Sequence, residues 1–400
     1  MCYFISLFVL FISFSFVVCL NNGQALTPPM GFNTWNDLGC KNMNEQNVLA
    51  AAQGMAKTGL LKAGFKFFNL DDCWAKGRFT NGTVFQDPKA FPNGMKFIGD
   101  KLHSMGFLYG IYTDRGTLTC QRRPGSLNHE KIDAKTYAEW GVDYVKEDSC
   151  FASNDHKVAF SEYEKMRDAL NQTGRAITFS LCGWHSWYSP VGTTIGNLWR
   201  ISHDVVDFKS MVNAINENAP LANNAGPGGW NDPDMLLGSN PKTARFLTPT
   251  QSRTQFSMWA VMAAPLLIGA DPAKLSAFDL QTYTNDEVIR VSQDTLGVQG
   301  SRIWGGTLSI DQGVQQGTNV WCKRLQSGAY ALVFINVAAS GVAMSCDEPC
   351  IRQTTLFGRP VVVRDLWLHK NVVTTSNLTS FKVDNVEANG GSAMFLFTPQ

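Results

Sequence analysis

Two aspartates in this chain end short apolar runs and have a cationic neighbour. Asp148 ends the run Tyr144–Asp148, and alternation along a strand would place Lys146 on the same side of that strand. An ammonium group there favours the ionised carboxylate, which a nucleophile requires. Asp204 follows Arg200 by four residues in a Trp-containing run. Two carboxyl groups, one ionised and one protonated, are what cleavage of a glycosidic bond needs.

Other carboxylates also stand at the ends of apolar runs. Asp71 and Asp72 are adjacent, and Asp114 and Asp271 each close a run of their own. Aspartate is common at turns and helix N-caps, which alone explains two or three of these positions. The whole set predicts an acidic pocket for a neutral ligand rich in hydroxyl groups.

The elements that would position these acids alternate between two patterns. Eight β-type runs are separated by amphipathic helical segments, which predicts a (β/α)8 barrel with its strand ends on one face. The predicted strands are Met30–Trp35, Phe65–Asp72, Leu108–Asp114, Val142–Asp148, Ala176–Cys182, Leu198–Asp204, a poorly defined one near Ala222–Trp230, and Pro265–Asp271. The predicted helices include Glu45–Ala63, Phe97–Met105, Asp133–Trp140 and Phe160–Asn171.

The pattern changes after the turn-rich joint at Gly297–Gly300. Alternating runs with little helical character follow, which predicts an antiparallel β-sandwich. Its predicted strands are Thr307–Ile310, Asn319–Leu325, Ala329–Val337, Pro360–Trp367, Thr379–Val383 and Ser392–Phe397. The predicted organisation is a catalytic barrel over residues 26–298 and a C-terminal sandwich over residues 299–400.

The N-terminus has the pattern of a secretory signal peptide. Met1–Leu20 is a nearly unbroken apolar run, and Gly23 and Ala25 are small residues at −3 and −1 of a cut after Ala25. The run is also just long enough for a retained anchor, although the cleavage pattern favours removal of residues 1–25. Three sequons fit the secretory pathway, with an extracellular or a lysosomal or vacuolar destination; they begin at Asn81, Asn171 and Asn377.

Cysteine usage agrees with an oxidising compartment. Without Cys2 and Cys19, eight cysteines remain, and none forms a C-x-x-C pair. The six histidines are scattered without the spacing of metal ligands, so we expect no metal and no organic cofactor.

Composition excludes several function classes. Lys plus Arg is 34 and Asp plus Glu is 33, and this net charge of +1 gives no field that would attract nucleic acid or an anionic membrane. A phosphate-binding barrel would need a Gly-rich loop or a basic cluster after its late strands, and the sequence has neither. We therefore expect a sugar substrate, no nucleic-acid partner and no stable membrane association after signal cleavage. A monomer and a homodimer are both compatible with the sequence.

Six motifs, in order and at barrel-like spacing, resemble those of glycoside hydrolase family 27, the eukaryotic α-galactosidases and α-N-acetylgalactosaminidases. The resemblance covers the chain after the predicted signal. Its carriers are Leu26–Asn36, Leu70–Trp74, Gly110–Asp114, Tyr144–Cys150, Arg200–Asp204 and Gly229–Leu236.

The resemblance implies a role for each matching acid. Asp148 matches the nucleophile that forms a covalent glycosyl-enzyme, and Asp204 matches the acid/base of a retaining mechanism. Asp71 and Asp72 match the acids that hold the 4- and 6-hydroxyls of galactose. It therefore implies hydrolysis of terminal α-galactosides, and the need for one ionised and one protonated carboxyl predicts a mildly acidic optimum.

The resemblance also implies the remaining pocket and two disulfides. Lys146 and Arg200 match donors to the sugar hydroxyls. The implied walls of the pocket are Trp35, Tyr112, Asp234 and Met235, together with Cys182, Gly183 and Trp184 on the loop after the fifth strand. The implied disulfides are Cys40–Cys73 and Cys120–Cys150, while the pairing of Cys182, Cys322, Cys346 and Cys350 stays open.

This chain departs from the family pattern near the 2-position of the sugar. Gly183 stands where many α-galactosidases have Glu, and Gly183 and Ser186 are both small, which keeps an α-N-acetylgalactosaminidase as an alternative. Bulky neighbours such as Trp187 and Tyr188 argue against it if either turns inward. Retention of Leu70–Trp74 favours galactose over the β-L-arabinopyranoside that lacks the 6-hydroxymethyl group.

Two further points stay open in the sequence. A galactose-binding protein that has lost catalysis is the non-enzyme alternative, against which the presence of both Asp148 and Asp204 counts. Glu147 replaces a commoner aromatic residue of the family, and it is expected to face the helix layer or solvent.

Overall fold

The computed structural model of the chain describes residue 20 and the ranges 22–311 and 314–400. Most of the predicted signal peptide, namely residues 1–19 and 21, lies outside the described residues. Within them, no helix combines the length and the apolar character that crossing a bilayer would need.

The N-terminal part is built on a parallel sheet of eight strands, and a small hairpin follows its second strand. The strands up to the end of this sheet are β1 (Met30–Asn33), β2 (Phe67–Asn69), β3 (Ala75–Arg78), β4 (Val84–Gln86), β5 (Leu108–Asp114), β6 (Tyr144–Asp148), β7 (Thr178–Leu181), β8 (Leu198–Arg200), β9 (Trp230–Asp232) and β10 (Leu266–Ile268). The sheet has the order β10-β1-β2-β5-β6-β7-β8-β9, and β3 pairs with β4 in the hairpin. The predicted barrel is confirmed.

Helices connect these strands and cover the outside of the sheet. They are α1 (Trp35–Leu38), α2 (Glu45–Lys57), α3 (Leu60–Ala63), α4 (Met95–Ser104), α5 (Glu130–Glu139), α6 (His156–Gln172), α7 (Ser189–Ile195), α8 (Phe208–Asn218), α9 (Pro249–Val261), α10 (Ala277–Tyr283) and α11 (Asp286–Ser292). Two 3-10 helices lie at Ser186–Tyr188 and Ala219–Asn224.

The barrel closes through the segment that follows β9. Leu236 forms a parallel bridge with Ile268 of β10. The backbone N–H of Leu236 donates to the carbonyl of Leu267 at 2.8 Å, and the N–H of Gly269 donates to the carbonyl of Leu236 at 2.9 Å. The chain from β9 to Leu236 is thereby fixed at the C-terminal end of the barrel.

Two predicted elements of the barrel differ from the observed ones. The seventh strand is the short Trp230–Asp232; of the residues predicted for it, 222–224 end the 3-10 helix Ala219–Asn224, 225–229 form a turn, and only Trp230 lies in the strand. The predicted helix Glu45–Ala63 is divided, because Gly59 has a φ of +86° between α2 and α3. That left-handed conformation is open to glycine at little cost and interrupts the helix.

The C-terminal part is an antiparallel β-structure, which confirms the predicted sandwich. Its elements are β11 (Ser301–Trp304), β12 (Ser309–Asp311), β13 (Val314–Gln316), β14 (Thr318–Arg324), β15 (Tyr330–Asn336), β16 (Val342–Cys346), α12 (Glu348–Ile351), β17 (Val361–Asp365), β18 (Lys370–Thr375), β19 (Phe381–Val386) and β20 (Gly391–Pro399). Six strands form one sheet in the order β11-β14-β15-β20-β17-β18, and β16 pairs with β19 in the layer that packs on it.

Strand β15 joins the two parts because both of its faces are buried. Ala331, Val333 and Ile335 belong to the core shared with the barrel, whereas Leu332 and Phe334 belong to the sandwich core. This division follows the two-residue period of a strand.

Polar contacts at this joint fix the sandwich against helix α9 and helix α11. The hydroxyl of Thr254 donates to the carbonyl of Gly390 at 2.7 Å. The buried amino group of Lys323 donates to the carbonyl of Val291 at 2.6 Å, at the last turn of α11, and burial lowers the pKa of Lys323 to about 7. This donor satisfies a carbonyl that has no partner within the helix.

Candidate active site

A pocket lies at the C-terminal ends of the barrel strands, where sequence analysis predicts it. Its walls come from the ends of β1, β2, β5, β6, β7 and β8, from the loops after them and from the loop after β9. The lining residues are Trp35, Asp71, Asp72, Tyr112, Cys120, Lys146, Asp148, Cys182, Trp184, Arg200, Asp204 and Met235. Of the residues predicted for the catalytic and binding groups, only Gly183 and Asp234 are not among these walls.

Asp148 lies at the end of β6, where strand alternation aims Lys146 and Asp148 into the barrel mouth. On the neighbouring strand, Tyr112 is in register with Lys146. The hydroxyl of Tyr112 donates to Asp148 Oδ2 at 2.9 Å, and the N–H of Ser149 donates to Oδ1 at 3.0 Å. Both carboxylate oxygens are therefore oriented by donors.

Burial raises the pKa of Asp148, and the charge of Lys146 and the hydrogen bond from Tyr112 oppose that rise. The side chain lies in a nearly closed site, with 6% of the residue exposed. The ionised form therefore depends on Lys146 and Tyr112, and we expect removal of either one to raise the pKa of Asp148 further.

Lys146 links the nucleophile candidate to the adjacent acids. Its ammonium lies 2.8 Å from Asp71 Oδ2, which also accepts a hydrogen bond from the amide of Asn33 at 2.8 Å. Burial lowers the pKa of Lys146, but Asp71 and Asp148 outweigh burial and hold that pKa well above its ordinary value. Lys146 is a permanent cation of the pocket.

Asp72 is held by the loop that carries the Cys120 disulfide. The hydroxyl of Thr119 donates to Asp72 Oδ1 at 3.0 Å, and the N–H of Gln121 donates to Oδ2 at 2.9 Å. Burial raises the pKa of Asp72 to about 6. Asp71 and Asp72 together place acceptor oxygens on one side of the pocket.

Asp204 lies in the loop after β8, lines the same pocket and is contacted by two arginines. Arg200 Nη2 is 3.2 Å from Asp204 Oδ1, and Arg200 Nη1 is 3.1 Å from Asp234 Oδ1. Arg245 Nη1 is 3.4 Å from Asp204 Oδ2. Burial raises the pKa of Asp204, but the charges of Arg200 and Lys146 and the contact with Arg245 outweigh burial, so this pKa lies below its usual value.

Asp234 supports this wall from behind. It accepts the N–H of Val205 at 2.8 Å and binds Arg200, while its own carbonyl accepts the indole N–H of Trp259 at 2.7 Å. Asp234 therefore orients Arg200 and fixes the loop that carries Asp204.

Three residues at the pocket have a left-handed backbone: Cys73 (φ 81°), Trp184 (φ 59°) and Asp234 (φ 83°). Such conformations cost about 1–3 kcal/mol each for residues other than glycine and persist only where neighbours fix them. The disulfide of Cys73 and the hydrogen bonds of Asp234 supply such restraints. All three stand in or beside the pocket.

Gly183 does not open into the sugar pocket. A Cβ atom there would lie 1.8 Å from Cε2 of Tyr188, so the Tyr188 ring packs directly against the glycine. Tyr188 is 1% exposed and belongs to the main core. The space that Gly183 leaves is filled by this ring, so its small size adds no room to the pocket. Ser186 is exposed on the same loop.

Two strand-end acids that the sequence grouped with the pocket do not line it. Asp114 accepts the N–H of Gly116 at 2.7 Å and that of Cys150 at 2.8 Å, and burial followed by the charge of Asp148 raises its pKa to about 9. Asp271 binds Lys274 at 2.6 Å, away from the lining residues. These two acids cap loops, as aspartates at strand ends often do.

Glu147 is completely buried in the helix layer, which decides between the two locations left open by the sequence. Neither of its carboxyl oxygens has a hydrogen-bond partner among the described residues. Burial, followed by the charge of Asp114, raises the pKa of Glu147 well above its ordinary value. Burial therefore favours the protonated carboxyl over the ionised one in the folded chain.

Replacing Glu147 with Gln is expected to stabilise the protein at pH 7 and to change little at pH 4. The unfolded carboxyl loses its proton near its ordinary pKa of 4.5, whereas the folded one keeps it, so the stability of the natural chain falls as the pH rises above that value. Gln has no proton to lose, and the gain at pH 7 should be about 1–3 kcal/mol. Urea unfolding of both proteins from pH 4 to pH 8 measures it.

Glu139→Gln is the matched control, because Glu139 lies exposed on α5. Its stability difference from the natural chain should not vary with pH. A difference between Glu147→Gln and the natural chain that is constant from pH 4 to pH 8 would contradict the assignment of a buried, protonated carboxyl.

Both disulfides that the family resemblance implies are present, Cys40–Cys73 and Cys120–Cys150. Cys346 pairs with Cys350 in the sandwich. Among the cysteines that the structure describes, Cys182 and Cys322 remain as buried thiols. Cys120 thus adds a disulfide sulfur to the pocket wall, a position that the sequence assigned to a bridge and not to binding.

Groups of acids and sulfurs that have the spacing of metal ligands are not built for an ion. Asp114, Cys120, Asp148 and Cys150 come together, but their sulfurs form a disulfide. Asp286, Glu287 and His369 form a second group, in which both Glu287 oxygens are bound by Arg364. The disulfide sulfurs of the first group are not thiolate ligands, and the guanidinium of Arg364 neutralises the second group.

Two polar residues of the site were missed by sequence analysis. Asn33 orients Asp71, and Arg245 contacts Asp204. Asn33 stands within the matching motif Leu26–Asn36, which was a usable signal. Arg245 lies in an irregular loop where neither periodicity nor a motif marks it.

Comparison with known proteins gives consistent results for both parts of the chain. A family model described as alpha galactosidase A matches residues 27–294, and a model described as the alpha galactosidase C-terminal beta sandwich domain matches residues 315–396. A probable alpha-galactosidase of Dictyostelium discoideum is 40% identical over 391 residues, which is 97% of each chain.

Solved structures agree with these matches. Alpha-galactosidase I of Mortierella vinacea superposes with a TM-score of 0.84 at 33% identity, over 94% of this chain and 98% of that one. The alpha-galactosidase of Saccharomyces cerevisiae, solved with raffinose, has a TM-score of 0.84 at 28% identity, over 95% of this chain and 99% of that one.

Proposed function

This chain belongs to the α-galactosidase family, glycoside hydrolase family 27, and is an α-galactosidase-type glycoside hydrolase; from that premise we propose that it removes terminal α-D-galactosyl residues by a retaining double displacement. The proposed substrates are galacto-oligosaccharides and galactose-bearing glycoconjugates. The observation that carries the mechanism is one pocket lined both by Asp148, which Tyr112 and Lys146 contact or stabilise, and by Asp204, which Arg200 contacts.

In the first step, Asp148 attacks the anomeric carbon of the galactoside. A bond forms between a carboxylate oxygen and C1, and the bond from C1 to the glycosidic oxygen breaks with its electron pair on that oxygen. Asp204 gives its proton to the same oxygen, so the leaving group departs as a neutral alcohol. Tyr112 releases part of its hydrogen bonding to Asp148 as the carboxylate charge is consumed.

In the second step, Asp204 acts as the base. It takes a proton from water while the water oxygen bonds to C1, and the bond from C1 to Asp148 breaks and returns the carboxylate. Two displacements at C1 retain the α configuration. Lys146 and Arg200 balance the negative charges through the cycle.

Recognition of galactose rests on the acids at the end of β2. Asp71 and Asp72 offer acceptors to the 4- and 6-hydroxyls, and Lys146 beside Asp71 offers a donor. The Saccharomyces cerevisiae relative was solved with raffinose, an α-galactosyl oligosaccharide, which supports a substrate of this class. Trp35, Trp184 and Met235 supply apolar walls on which a sugar ring can pack.

The 2-position favours a hydroxyl over an acetamide group. Tyr188 fills the space behind Gly183, while Cys182, Trp184 and Arg200 line the pocket next to it. This packing favours galactose over N-acetylgalactosamine as the substrate sugar. The adjacent acids Asp71 and Asp72 favour a sugar with a 6-hydroxyl over a β-L-arabinopyranoside, which lacks one.

Hydrolysis of three nitrophenyl glycosides tests the assignment. We expect kcat/KM for the α-galactoside to exceed that for the α-N-acetylgalactosaminide by about 100-fold or more, since an acetamide has no space and buried polar groups lose partners. The β-L-arabinopyranoside should be slower by about 10-fold or more, because it leaves the acceptors for the 6-hydroxyl unpaired. A preference for either alternative would overturn the sugar assignment, and binding of galactose without turnover of any of the three would overturn the enzyme assignment.

The same proposal extends to maturation. Cleavage after Ala25 would leave a barrel over residues 26–298 and a sandwich over residues 299–400, in the secretory pathway and then in the extracellular space or a lysosomal or vacuolar compartment. The sequon residues Asn81, Asn171 and Asn377 are exposed, which supports N-glycosylation at these sites.

A further inference from the structure

Arg245 lies on a loop between β9 and α9 that reaches the rim of the active site. The loop is closed at its base, where the N–H of Leu247 donates to the carbonyl of Gly238 at 2.9 Å. The hydroxyl of Thr243 lies 2.7 Å from the carbonyl oxygen of Asn240 and 2.9 Å from that of Arg245, and it donates its one hydrogen between them. These internal contacts present Arg245 toward the pocket on a defined loop.

The guanidinium of Arg245 joins two groups at that rim. Its Nη1 atom is 3.4 Å from Asp204 Oδ2 and 3.2 Å from the amide oxygen of Asn36. Asn36 follows Trp35, a pocket wall, so Arg245 spans the rim between the loop after β1 and the loop after β8.

The two arginines on Asp204 differ in burial and in the oxygen that they contact. Arg200 has a side chain 4% exposed, lines the sugar pocket and is fixed by Asp234. Arg245 has a side chain 25% exposed and does not line the pocket. Arg200 therefore approaches Asp204 Oδ1 from the sugar side, and Arg245 approaches Oδ2 from the solvent side, where the leaving group must lie.

The acid step needs one oxygen of Asp204 to carry a proton toward the glycosidic oxygen. Because Arg200 is fixed on Oδ1, the oxygen left for that proton is Oδ2. When Oδ2 carries the proton, it donates a hydrogen bond to the glycosidic oxygen. A guanidinium at Oδ2 would also point its N–H donors toward that position, so it does not stabilise this arrangement. Arg245 and a leaving group therefore compete for one position.

We propose that Arg245 is a positioning residue for the acid/base, which contacts Asp204 while the leaving-group side of the pocket is empty and yields that position to the leaving group of a bound glycoside. The inference rests on the proposed function, because it takes Asp204 as the acid/base. In the second step the departed leaving group lets Arg245 return and favour the ionised Asp204 that must take a proton from water.

Other charged groups around Asp204 do not change place in this scheme. Two cations face Asp204, Lys146 from β6 and Arg200 from β8, and both favour its ionised form. Asp234 faces it from the loop after β9 and opposes that form, and the thiol of Cys182 lies near it after β7. Arg245 is the solvent-side member of the cationic set, which makes its contribution separable by mutation.

The test is the pH dependence of kcat/KM for nitrophenyl α-galactoside in Arg245→Met, Arg245→Lys and the natural chain. kcat/KM reports the free enzyme, in which Arg245 contacts Asp204. Loss of the cation should raise the pKa of Asp204. Since the higher pKa of the pair belongs mainly to Asp148, the acidic limb of the profile should move upward by about half a pH unit, the size expected of a partly exposed ion pair, and kcat/KM on the alkaline side should rise about threefold. Arg245→Lys should keep the acidic limb near its natural position.

Arg290→Met is the matched control, because Arg290 forms an exposed pair with Asp286 on α11. If Arg245→Met changes the rate by one factor at every pH and leaves the acidic limb in place, the inference is overturned while the proposed function stands. If the natural chain and Arg290→Met hydrolyse no α-galactoside at any pH, the proposed function and the inference fall together.

Discussion

Asp148→Ala is expected to lower kcat on nitrophenyl α-galactoside by about 10⁴-fold or more, with the protein folded and still able to bind galactose. The proposed mechanism makes this carboxylate the nucleophile of the covalent intermediate; Tyr112 hydrogen-bonds to it and the charge of Lys146 favours its ionised form. No other carboxylate of the pocket is aimed from β6, so none can replace it without moving the strand.

Added azide distinguishes a lost nucleophile from a damaged pocket. In Asp148→Ala the anion can enter the vacated space and attack C1 directly, which gives β-galactosyl azide and restores part of the rate. Asp271→Asn is the matched control, because Asp271 also ends a barrel strand yet lies outside the pocket. Turnover in Asp148→Ala within 10-fold of Asp271→Asn would refute the assignment of the nucleophile.

The fold was predictable because its pattern is regular. Eight apolar runs that end in polar residues, separated by amphipathic helices, have few solutions other than a barrel. The least regular element was misplaced: β9 has only three residues, Trp230–Asp232, and follows a glycine-rich turn. Strand β18 was missed because its residues are mostly exposed, so it shows little alternation.

The composition of the site was predictable to the extent that strand ends determine it. Lys146 and Asp148 share a face because they are two residues apart, and Tyr112 meets Asp148 because β5 and β6 are adjacent in the barrel. The sequence did not reveal that Tyr188 fills the space behind Gly183, because that contact joins a strand end to a 3-10 turn through side-chain packing. Arg245 was hidden for the same reason, since loop closure places it and no periodicity marks it.

The two carboxyls proposed as catalytic also have pKa directions that sequence reasoning did not anticipate. Burial raises the pKa of Asp148, while Arg200 and Lys146 outweigh burial and lower that of Asp204. With one proton between them, the pair has two forms, one with the proton on Asp148 and one with it on Asp204. Attack needs the second form, and these pKa directions make it the less populated one in the empty pocket. The rate is still bell-shaped, because it follows the population that holds one proton between the two carboxyls.

A mildly acidic optimum follows from this coupling. As the pH falls below the first macroscopic pKa of the pair, both carboxyls are protonated and the nucleophile is lost. As the pH rises above the second, both are ionised and the acid is lost. A leaving group that displaces Arg245 raises the pKa of Asp204 in the complex and increases the population of the reactive form.

Asp204→Ala is expected to lower kcat/KM according to the leaving group. For a galactoside with an alkyl or sugar leaving group the loss should be about 10²–10⁴-fold, which is the usual contribution of a general acid. For a dinitrophenyl leaving group, which needs no proton, the loss in the first step should be about 10-fold or less. The second step also slows, since water loses its base, so the galactosyl-enzyme on Asp148 accumulates and a burst of phenol precedes steady turnover.

Azide then has an effect opposite in stereochemistry to that in Asp148→Ala. With the nucleophile intact, azide attacks the β-linked galactosyl-enzyme and gives α-galactosyl azide, so the two variants report the two faces of C1. The basic limb of the pH profile should also disappear in Asp204→Ala, because the group that must stay protonated is gone. Equal losses for dinitrophenyl and alkyl galactosides, together with a retained basic limb, would assign the acid/base to another residue.

The variant Asp204→Asn removes the proton but keeps the shape of this wall, because Arg200 and Arg245 bind the two oxygens of Asp204. Asp204→Asn should therefore share the leaving-group dependence of Asp204→Ala.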